Sequence, residues 1–173
     1  QLQSLNERHR LTPFELLVTA AVMEFQQRGC ELLVLEVGLG GRLDATTAHP
    51  RRPVIAMASI GRDHCEHLGS TLSAIAMEKA AAIPPQATVI SCLQDPTVQA
   101  VLEETCRKQQ ASLQWVKPLP GTWQLGLQGE IQRQNAAVAL GALQALSSLG
   151  WSLSEAVIRK GFAAASWPGR LQT

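Results

Sequence analysis

Short apolar runs that alternate with helix-like stretches constrain the fold of this chain more than any other feature. The runs predict strands at Leu32–Val37, Val54–Ser59, Thr88–Cys92 and Leu113–Val116. Helical patterns separate the last three runs, and parallel neighbours in a sheet need helical crossovers. The pattern therefore predicts an α/β fold of the Rossmann-like class, which is a three-layer parallel sheet with helices on both faces.

Five stretches carry the signals of helices. The first is the clearest, because Thr12 can cap it, Pro13 suits its first position and Glu15 completes a capping box. Its apolar residues recur with the helical period, so we expect one face of this helix to pack on a core. The predicted helices span residues 13–29, 71–83, 96–110, 135–149 and 154–162.

Composition and charge exclude several classes of protein. The chain has 173 residues, of which 46% are hydrophobic, and this is enough for the core of one soluble domain. Its 15 basic side chains against 14 acidic ones provide no field that would attract nucleic acid or an anionic membrane. The four cysteines show no paired spacing, which is typical of reduced thiols in the cytoplasm. We predict a cytoplasmic monomer with one domain over residues 1–166.

A glycine-rich run follows the first predicted strand. The apolar residues 32–35 indicate a strand buried on both faces, and Glu36 ends it where open α/β sheets bind their ligands. Gly38, Gly40 and Gly41 let the backbone turn sharply and approach a bound group closely. The spacing G-x-G-G differs from the dinucleotide-binding fingerprint, and an ordinary tight connection can contain the same glycines. We predict that Glu36 faces a cleft.

Residues 63–67, Asp-His-Cys-Glu-His, concentrate metal-binding side chains in a loop after the second predicted strand. A transition metal needs three or more such ligands, whereas Mg²⁺ takes one or two protein groups with phosphate oxygens and water. Glu36 and His64 end neighbouring predicted strands, so together they could bind one ion. A solvated polar turn without a metal is the alternative.

Lys79 is followed by small apolar residues, 80–82. One interpretation is a surface lysine paired with a nearby acid. A partly buried lysine would instead have a lowered pKa and react as a neutral amine, which would suit covalent modification. Gln132, Asn135 and Arg170 are further polar residues at the ends of elements, where Asn135 could be a plain helix cap.

The combination of these segments resembles the central ATPase domain of the Mur ligase superfamily, and specifically the folylpolyglutamate synthase / dihydrofolate synthase family. The similar segments follow the family's order and spacing over almost the whole chain. They are Leu11–Glu15, Leu35–Thr46, Ile60–His64 with Leu68–Gly69, Glu78–Ala80, Gln132 with Asn135–Ala137, and Trp167–Leu171.

The resemblance implies a role for each candidate residue. Glu36 and His64 would be ligands of Mg²⁺, and Lys79 would be carboxylated by CO₂ to a carbamate that supports a second Mg²⁺. Asn135 and Arg170 would contact ATP. The pteroate or folate pocket would be lined by Thr12, Pro13, Phe14, Glu15, Leu43, Asp44 and Ala45, with the Phe14 ring available for stacking.

The resemblance also implies the reaction. ATP would phosphorylate the carboxylate of dihydropteroate or tetrahydrofolate, and the amine of L-glutamate would attack the acyl phosphate to form an amide. Two Mg²⁺ ions and basic groups would stabilise the developing phosphate charge.

The chain departs from the family pattern in one main respect. It contains no G-x-x-x-x-G-K-[ST] sequence, which cradles phosphates and which the family places upstream of residue 1. We therefore expect a piece of a chain more than twice as long, inactive alone, in which residues 167–173 link to a glutamate-binding domain. Pro13 stands where the family often has an aromatic residue, and Ile131 where histidine is common.

Three alternatives remain open from the sequence. A metallohydrolase would use His64, His67 and Glu36 to bind a transition metal and would hydrolyse its substrate without ATP. A non-catalytic nucleotide-binding or partner-binding module would keep the motif residues for the fold alone. Within the ligase class, a peptidoglycan-precursor ligase is the nearest competitor.

Overall fold

Two helices and a glycine-rich loop form the first of the two units into which the chain divides, Gln1–Arg51 and Arg52–Thr173. The computed structural model describes residues 2–49 and 51–168. In the first unit, α1 spans Leu2–His9, α2 spans Pro13–Gln27, and a 3₁₀ turn spans Ala45–Ala48. The capping box at the start of α2 is confirmed. The sequence patterns do not predict α1.

Residues 32–37 form no strand, contrary to the prediction. The sheet in the described residues contains three strands from the second unit, so this segment has no ladder partner within residues 2–49 and 51–168. The predicted burial on both faces is also wrong, because Leu33 and Leu35 are half-buried while Val34 is 90% exposed. Glu36 consequently ends no strand, and the prediction that it and His64 end neighbouring strands is wrong.

The apolar face of α2 is not buried either. Leu17 is 67% exposed, and none of the residues in α2 is buried. Within the described part of the first unit, the eight-residue α1, the short 3₁₀ turn and the glycine-rich loop lie beside α2, and they are too small to cover its apolar face. The predicted packing of this helix on a core is therefore not found.

The second unit is built on a parallel sheet. Its strands are β1 (Val54–Met57), β2 (Thr88–Cys92) and β3 (Ser112–Val116), in the order β1-β2-β3. Both pairs are parallel, with Val54 opposite Thr88 and Thr88 opposite Ser112. The strands lie within two residues of the predicted bounds.

In the part of the second unit that the structure describes, five helices accompany the sheet, and they are α3 (Cys65–Leu68), α4 (Leu72–Ala80), α5 (Pro96–Gln109), α6 (Glu130–Ser147) and α7 (Glu155–Ala164). The helices α4 and α5 are the crossovers between the strands. The short α3 lies in a stretch predicted to be a loop. The helix α6 begins five residues before the predicted start, because Gly129 at φ 103° ends the preceding turn and acts as its N-cap.

The sheet is covered on both faces, which confirms the predicted three-layer α/β fold. On one face, Val89 lies in a buried cluster with residues of α4 and α5 such as Ile75 and Leu102. On the other face, Ile90 lies in a cluster with Val138 of α6. Burial on both faces favours apolar residues on both sides of a strand, as Val89 and Ile90 of β2 show.

Turns without a strand connect β3 to α6, and they hold α7 in place. The Trp123 and Phe162 ring centroids are 5.7 Å apart, and the Arg159 guanidinium lies 3.9 Å from the Trp123 ring centroid. The Gly126 N–H donates to the Phe162 carbonyl at 2.9 Å. Among the helices of residues 2–49 and 51–168, none has the length and apolar character needed to cross a membrane.

Candidate active site

The loop after β1 places His64 in an unusual backbone conformation. His64 has φ 54° and ψ 38°, in the left-handed region that costs a residue with a Cβ about 1 kcal/mol or more. Its carbonyl accepts the N–H groups of His67 and Leu68, each at 2.9 Å, so it forms the first turn of α3. The side chain is about half exposed, at 47%. Strained residues of this kind are frequent at functional sites.

The other metal-binding side chains of this loop are spread along its surface. Asp63 Oδ2 lies 3.6 Å from His64 Nε2, and Glu66 Oε1 lies 3.9 Å from His67 Nε2. Among the described residues, no three His, Cys, Asp or Glu side chains lie close enough together to hold a metal ion. This arrangement gives the metallohydrolase alternative no support.

Lys79 lies in the last turn of α4, between side chains that are buried. Ala76 and Ala80 on the same helix are 0% and 1% exposed, and Lys79 itself is half-buried. Within the described part of the chain, its ammonium makes no hydrogen bond or ion pair. The surface lysine paired with an acid is therefore not what the structure contains.

Asn135 lies inside α6 rather than at its start, so the alternative interpretation of this residue as a plain helix cap does not hold. Its Nδ2 donates to Gln132 Oε1 at 3.3 Å, and both side chains are half-buried. The predicted ATP contact of Arg170 lies outside the described residues.

A cavity of about 500 Å³, which the sequence does not predict, lies beside the start of α6. Its lining includes Trp123, Gln128, Gly129 and Arg133. The Arg133 guanidinium donates to the Pro120 carbonyl at 3.0 Å. Arg133 therefore stabilises the turns before α6.

Asp44 holds the glycine-rich loop of the first unit together. Its Oδ2 accepts the N–H groups of Gly38 (2.9 Å) and Leu39 (3.1 Å), and its Oδ1 accepts the N–H (2.9 Å) and hydroxyl (2.6 Å) of Thr46. Burial acts to raise the pKa of Asp44, but these hydrogen bonds outweigh it, and the pKa lies below its ordinary value. Every oxygen of this carboxylate is directed at the loop, so Asp44 orders the segment proposed to bind the substrate.

Phe14 contacts the same loop. A Cβ built on Gly38 would lie 3.2 Å from Phe14 Cζ and 3.3 Å from Asp44 Oδ2, so a side chain there would require these neighbours to shift by a few tenths of an ångström. The structure thus brings the start of α2 and the segment around Leu43 into one neighbourhood of the first unit. Phe14 and Leu43 keep 45% and 92% of their surface exposed, which leaves apolar groups available to a ligand.

The remaining predicted pocket residues at the start of α2 are engaged in its cap. Glu15 Oε2 accepts the N–H of Thr12 at 2.7 Å and its hydroxyl at 2.8 Å. These two bonds, the backbone one first, lower the pKa of Glu15. Pro13 occupies the first helical position, and Ala45 opens the 3₁₀ turn. Glu36 is exposed, two residues before Gly38.

Asp44→Asn should destabilise the glycine-rich loop by about 2 kcal/mol at pH 7. Asparagine replaces one carboxylate oxygen by an NH₂ group, which cannot accept the two hydrogen bonds that this oxygen accepts. The measurement is hydrogen exchange of amides in residues 36–47. The folded pKa is below the unfolded value of about 3.9, so the stabilisation is complete at neutral pH and is lost as the pH falls below about 4.

Asp95→Asn is the matched control. Asp95 accepts a single bond from the Thr97 N–H at the start of α5, and asparagine caps helices as well as aspartate does. Equal exchange rates in the Asp44 variant and the wild type at pH 7 would contradict the assigned role of Asp44.

Comparison with known proteins gives matches over nearly the whole chain. No protein-family model matches it. It is 36% identical over 191 residues to the dihydrofolate synthetase of Saccharomyces cerevisiae, covering 99% of this chain and 45% of that protein. It is 35% identical over 175 residues to a folylpolyglutamate synthase of Arabidopsis thaliana, covering 93% of this chain and 31% of that protein. The chain belongs to the folylpolyglutamate and dihydrofolate synthase family.

Solved structures agree with this assignment. A folylpolyglutamate synthase (FPGS) complex with AMPPCP and folate superposes on 99% of the chain and 48% of its own length, with a TM-score of 0.88 and 27% identity. The chain therefore spans less than half the length of each of these three folylpolyglutamate and dihydrofolate synthases.

Proposed function

We propose that this chain provides the central part of an ATP-dependent ligase that forms an amide between L-glutamate and the carboxylate of a folate or dihydropteroate. The observation that carries this proposal is its similarity, over 99% of its length, to an FPGS whose structure contains AMPPCP and folate. The substrate is phosphorylated by ATP, and the glutamate amine displaces phosphate from the acyl phosphate. The relatives' names cover both dihydrofolate and polyglutamate synthesis, so either dihydropteroate or tetrahydrofolate fits.

In this proposal Glu36 and His64 would each be a ligand of Mg²⁺, and Lys79 would support a second Mg²⁺ after carboxylation. The chemistry of the donors fits: Mg²⁺ takes few protein ligands and keeps phosphate oxygens and water. The Lys79 ammonium itself would repel the ion. As a neutral amine it attacks CO₂, forms an N–C bond and loses a proton, which gives an anionic carbamate. Mg²⁺ bound by these residues would neutralise charge on the phosphates.

The half-buried position of Lys79 and its lack of an ion pair among the described residues support this role. For the folate pocket, the support is the contact between Phe14 and the glycine-rich loop and the exposure of the Phe14 ring. Thr12, Pro13 and Glu15 shape the helix end that presents Phe14, and Asp44 and Ala45 order the segment that presents Leu43. Asn135 and Arg170 are proposed to contact ATP.

The test is an assay of the complete protein as its gene encodes it. It uses ATP, MgCl₂ and radiolabelled L-glutamate, with dihydropteroate in one reaction and tetrahydrofolate in another. We expect one glutamylated product for each ADP formed, in at least one reaction, and no product when ATP or the pteridine is omitted. Glutamylation without ATP, or none with either substrate, would contradict the proposal.

The cytoplasmic location and the monomeric state are further parts of the proposal. All four cysteines, at 30, 65, 92 and 106, are free thiols, which supports a reducing compartment. Sedimentation of the purified protein would test the monomer.

A further inference from the structure

The side chain of Gln94 joins the loop after β2 to the loop after β1. Its Oε1 accepts the Ile60 N–H at 2.9 Å, and its Nε2 donates to the Ala58 carbonyl at 2.9 Å. The same Nε2 lies 2.9 Å from Ser91 Oγ. The three bonds use the acceptor and both donors of one amide, so the contact depends on the amide chemistry of this residue.

The partners determine which end of the amide faces which group. A backbone N–H can only donate, so the atom facing Ile60 is the oxygen. A carbonyl can only accept, so the atom facing Ala58 is the nitrogen. A glutamate would present an oxygen to the Ala58 carbonyl, and a methionine of similar length would satisfy none of these partners.

These bonds begin where the sheet ends. The regular pairing of β1 with β2 ends at Met57 and Ser91. Ser91 is fully buried, and its Oγ donates to the Met57 carbonyl at 3.0 Å. The same Oγ accepts from Gln94 Nε2, so Ser91 links the last strand pair to Gln94. After Met57 and Ser91, the hydrogen bonds that join the loop after β2 to residues 58–60 in the described structure all come from the Gln94 side chain.

The loop that Gln94 holds carries His64. The Ile60 side chain is 7% exposed and belongs to the core, so the loop is fixed there by its side chain and its backbone. Three residues, Gly61–Asp63, separate Ile60 from His64. Because His64 has a strained left-handed backbone, its position needs support from neighbouring structure.

We propose that Gln94 is a positioning residue for the magnesium site, and that it acts through the loop that carries His64. This inference rests on the proposed function, in which His64 is a ligand of Mg²⁺. Groups that orient metal ligands without touching the metal commonly change metal affinity about 10- to 100-fold when they are removed. Gln94 is separated from the ligand by one short loop.

The test compares Gln94→Met with the wild type in the complete protein. We expect the Ile60 amide to exchange roughly fivefold faster or more, because it loses its acceptor. We expect the Mg²⁺ concentration for half-maximal ligation to rise about tenfold or more. Gln94→Glu keeps an acceptor for Ile60, so it should protect that amide better than methionine does.

Two controls separate positioning from general loss of stability. Gln114→Met makes the same change at an exposed position of β3, and Ser154→Ala removes the cap of α7. Neither should change the Mg²⁺ requirement. If Gln94→Met does not fold, Ser91→Ala, which removes one of the amide's partners, replaces it in the same comparison.

If the wild type is active and Gln94→Met has the same Mg²⁺ requirement, the proposed role of Gln94 is overturned, whether or not the Ile60 amide exchanges faster. A wild type that forms no glutamylated product would overturn the proposed function instead. The two failures are therefore distinguishable.

Discussion

Lys79→Arg should lower ATP-dependent glutamate ligation about 1,000-fold while the protein remains folded. Arginine keeps the positive charge and a similar length, but its guanidinium does not form a carbamate with CO₂. The variant would therefore place a permanent cation where the proposal needs an anion. Lys79 is half-buried and has no charged partner among residues 2–49 and 51–168, so the positive charge of arginine would not be neutralised there. The measurement is the rate of glutamylated product formation at saturating ATP and Mg²⁺.

Two further measurements identify the cause of that loss. In Lys79→Ala, formate or acetate should restore part of the activity, because a small carboxylate can occupy the space of the carbamate. With ¹³C-bicarbonate, the wild type should show a carbamate carbon resonance that Lys79→Arg lacks. Lys108→Arg is the matched control, because Lys108 is exposed and pairs with Glu104 at 3.2 Å on the surface of α5. A Lys79→Arg enzyme with normal activity would exclude the carbamate.

Gly141→Val should destabilise the second unit by about 4 kcal/mol, since valine overpacks a close contact between α6 and the sheet. A Cβ on Gly141 would lie 2.7 Å from Ile90 Cγ2 and 3.5 Å from Val116 Cγ1. Ile90 is fully buried between two layers, so it cannot move aside. Urea unfolding followed by tryptophan fluorescence measures the change, since all four tryptophans lie in this unit.

Gly161→Val is the matched control for this prediction. Gly161 lies in α7, and a Cβ at this position would meet no heavy atom within 4 Å, so the same substitution there should change the stability by less than about 0.5 kcal/mol. Adding Ile90→Ala to the Gly141 variant should cost less than the sum of the two single changes, because the smaller side chain removes the clash. A loss at position 141 no larger than the change at position 161 would contradict the argument from packing.

The fold can be predicted from the sequence wherever the signal is local. The run Thr88–Cys92 contains Val89, Ile90 and small residues because both faces of β2 are buried, and the predicted bounds of this strand are correct. The segment Leu32–Val37 has a similar apolar character but forms no strand, because a strand also needs a neighbouring strand, which no local pattern reveals. The predicted start of α6 is wrong because Glu130 and the following polar residues resemble a loop.

In the candidate site, too, some residues can be identified from the sequence and others cannot. His64 and Lys79 stand out in the sequence because their residue types are chemically distinctive, and the structure gives each an unusual environment. Gln94 does not stand out, because a glutamine in a loop has no pattern of its own and its main-chain partner Ile60 lies 34 positions earlier. The role of Asp44 in ordering the loop could have been suspected from the Asp-x-Thr spacing of an Asx turn.

The strand order β1-β2-β3 is also the order in which a ribosome makes the strands. Each new strand pairs with one already synthesised, so the sheet can grow during translation from its first strand. The face that carries Ile90, however, stays uncovered until α6 ends at Ser147, 31 residues after Val116. At roughly 5–20 residues per second this leaves an apolar surface open for a few seconds, which is the interval in which a chaperone would protect the nascent chain.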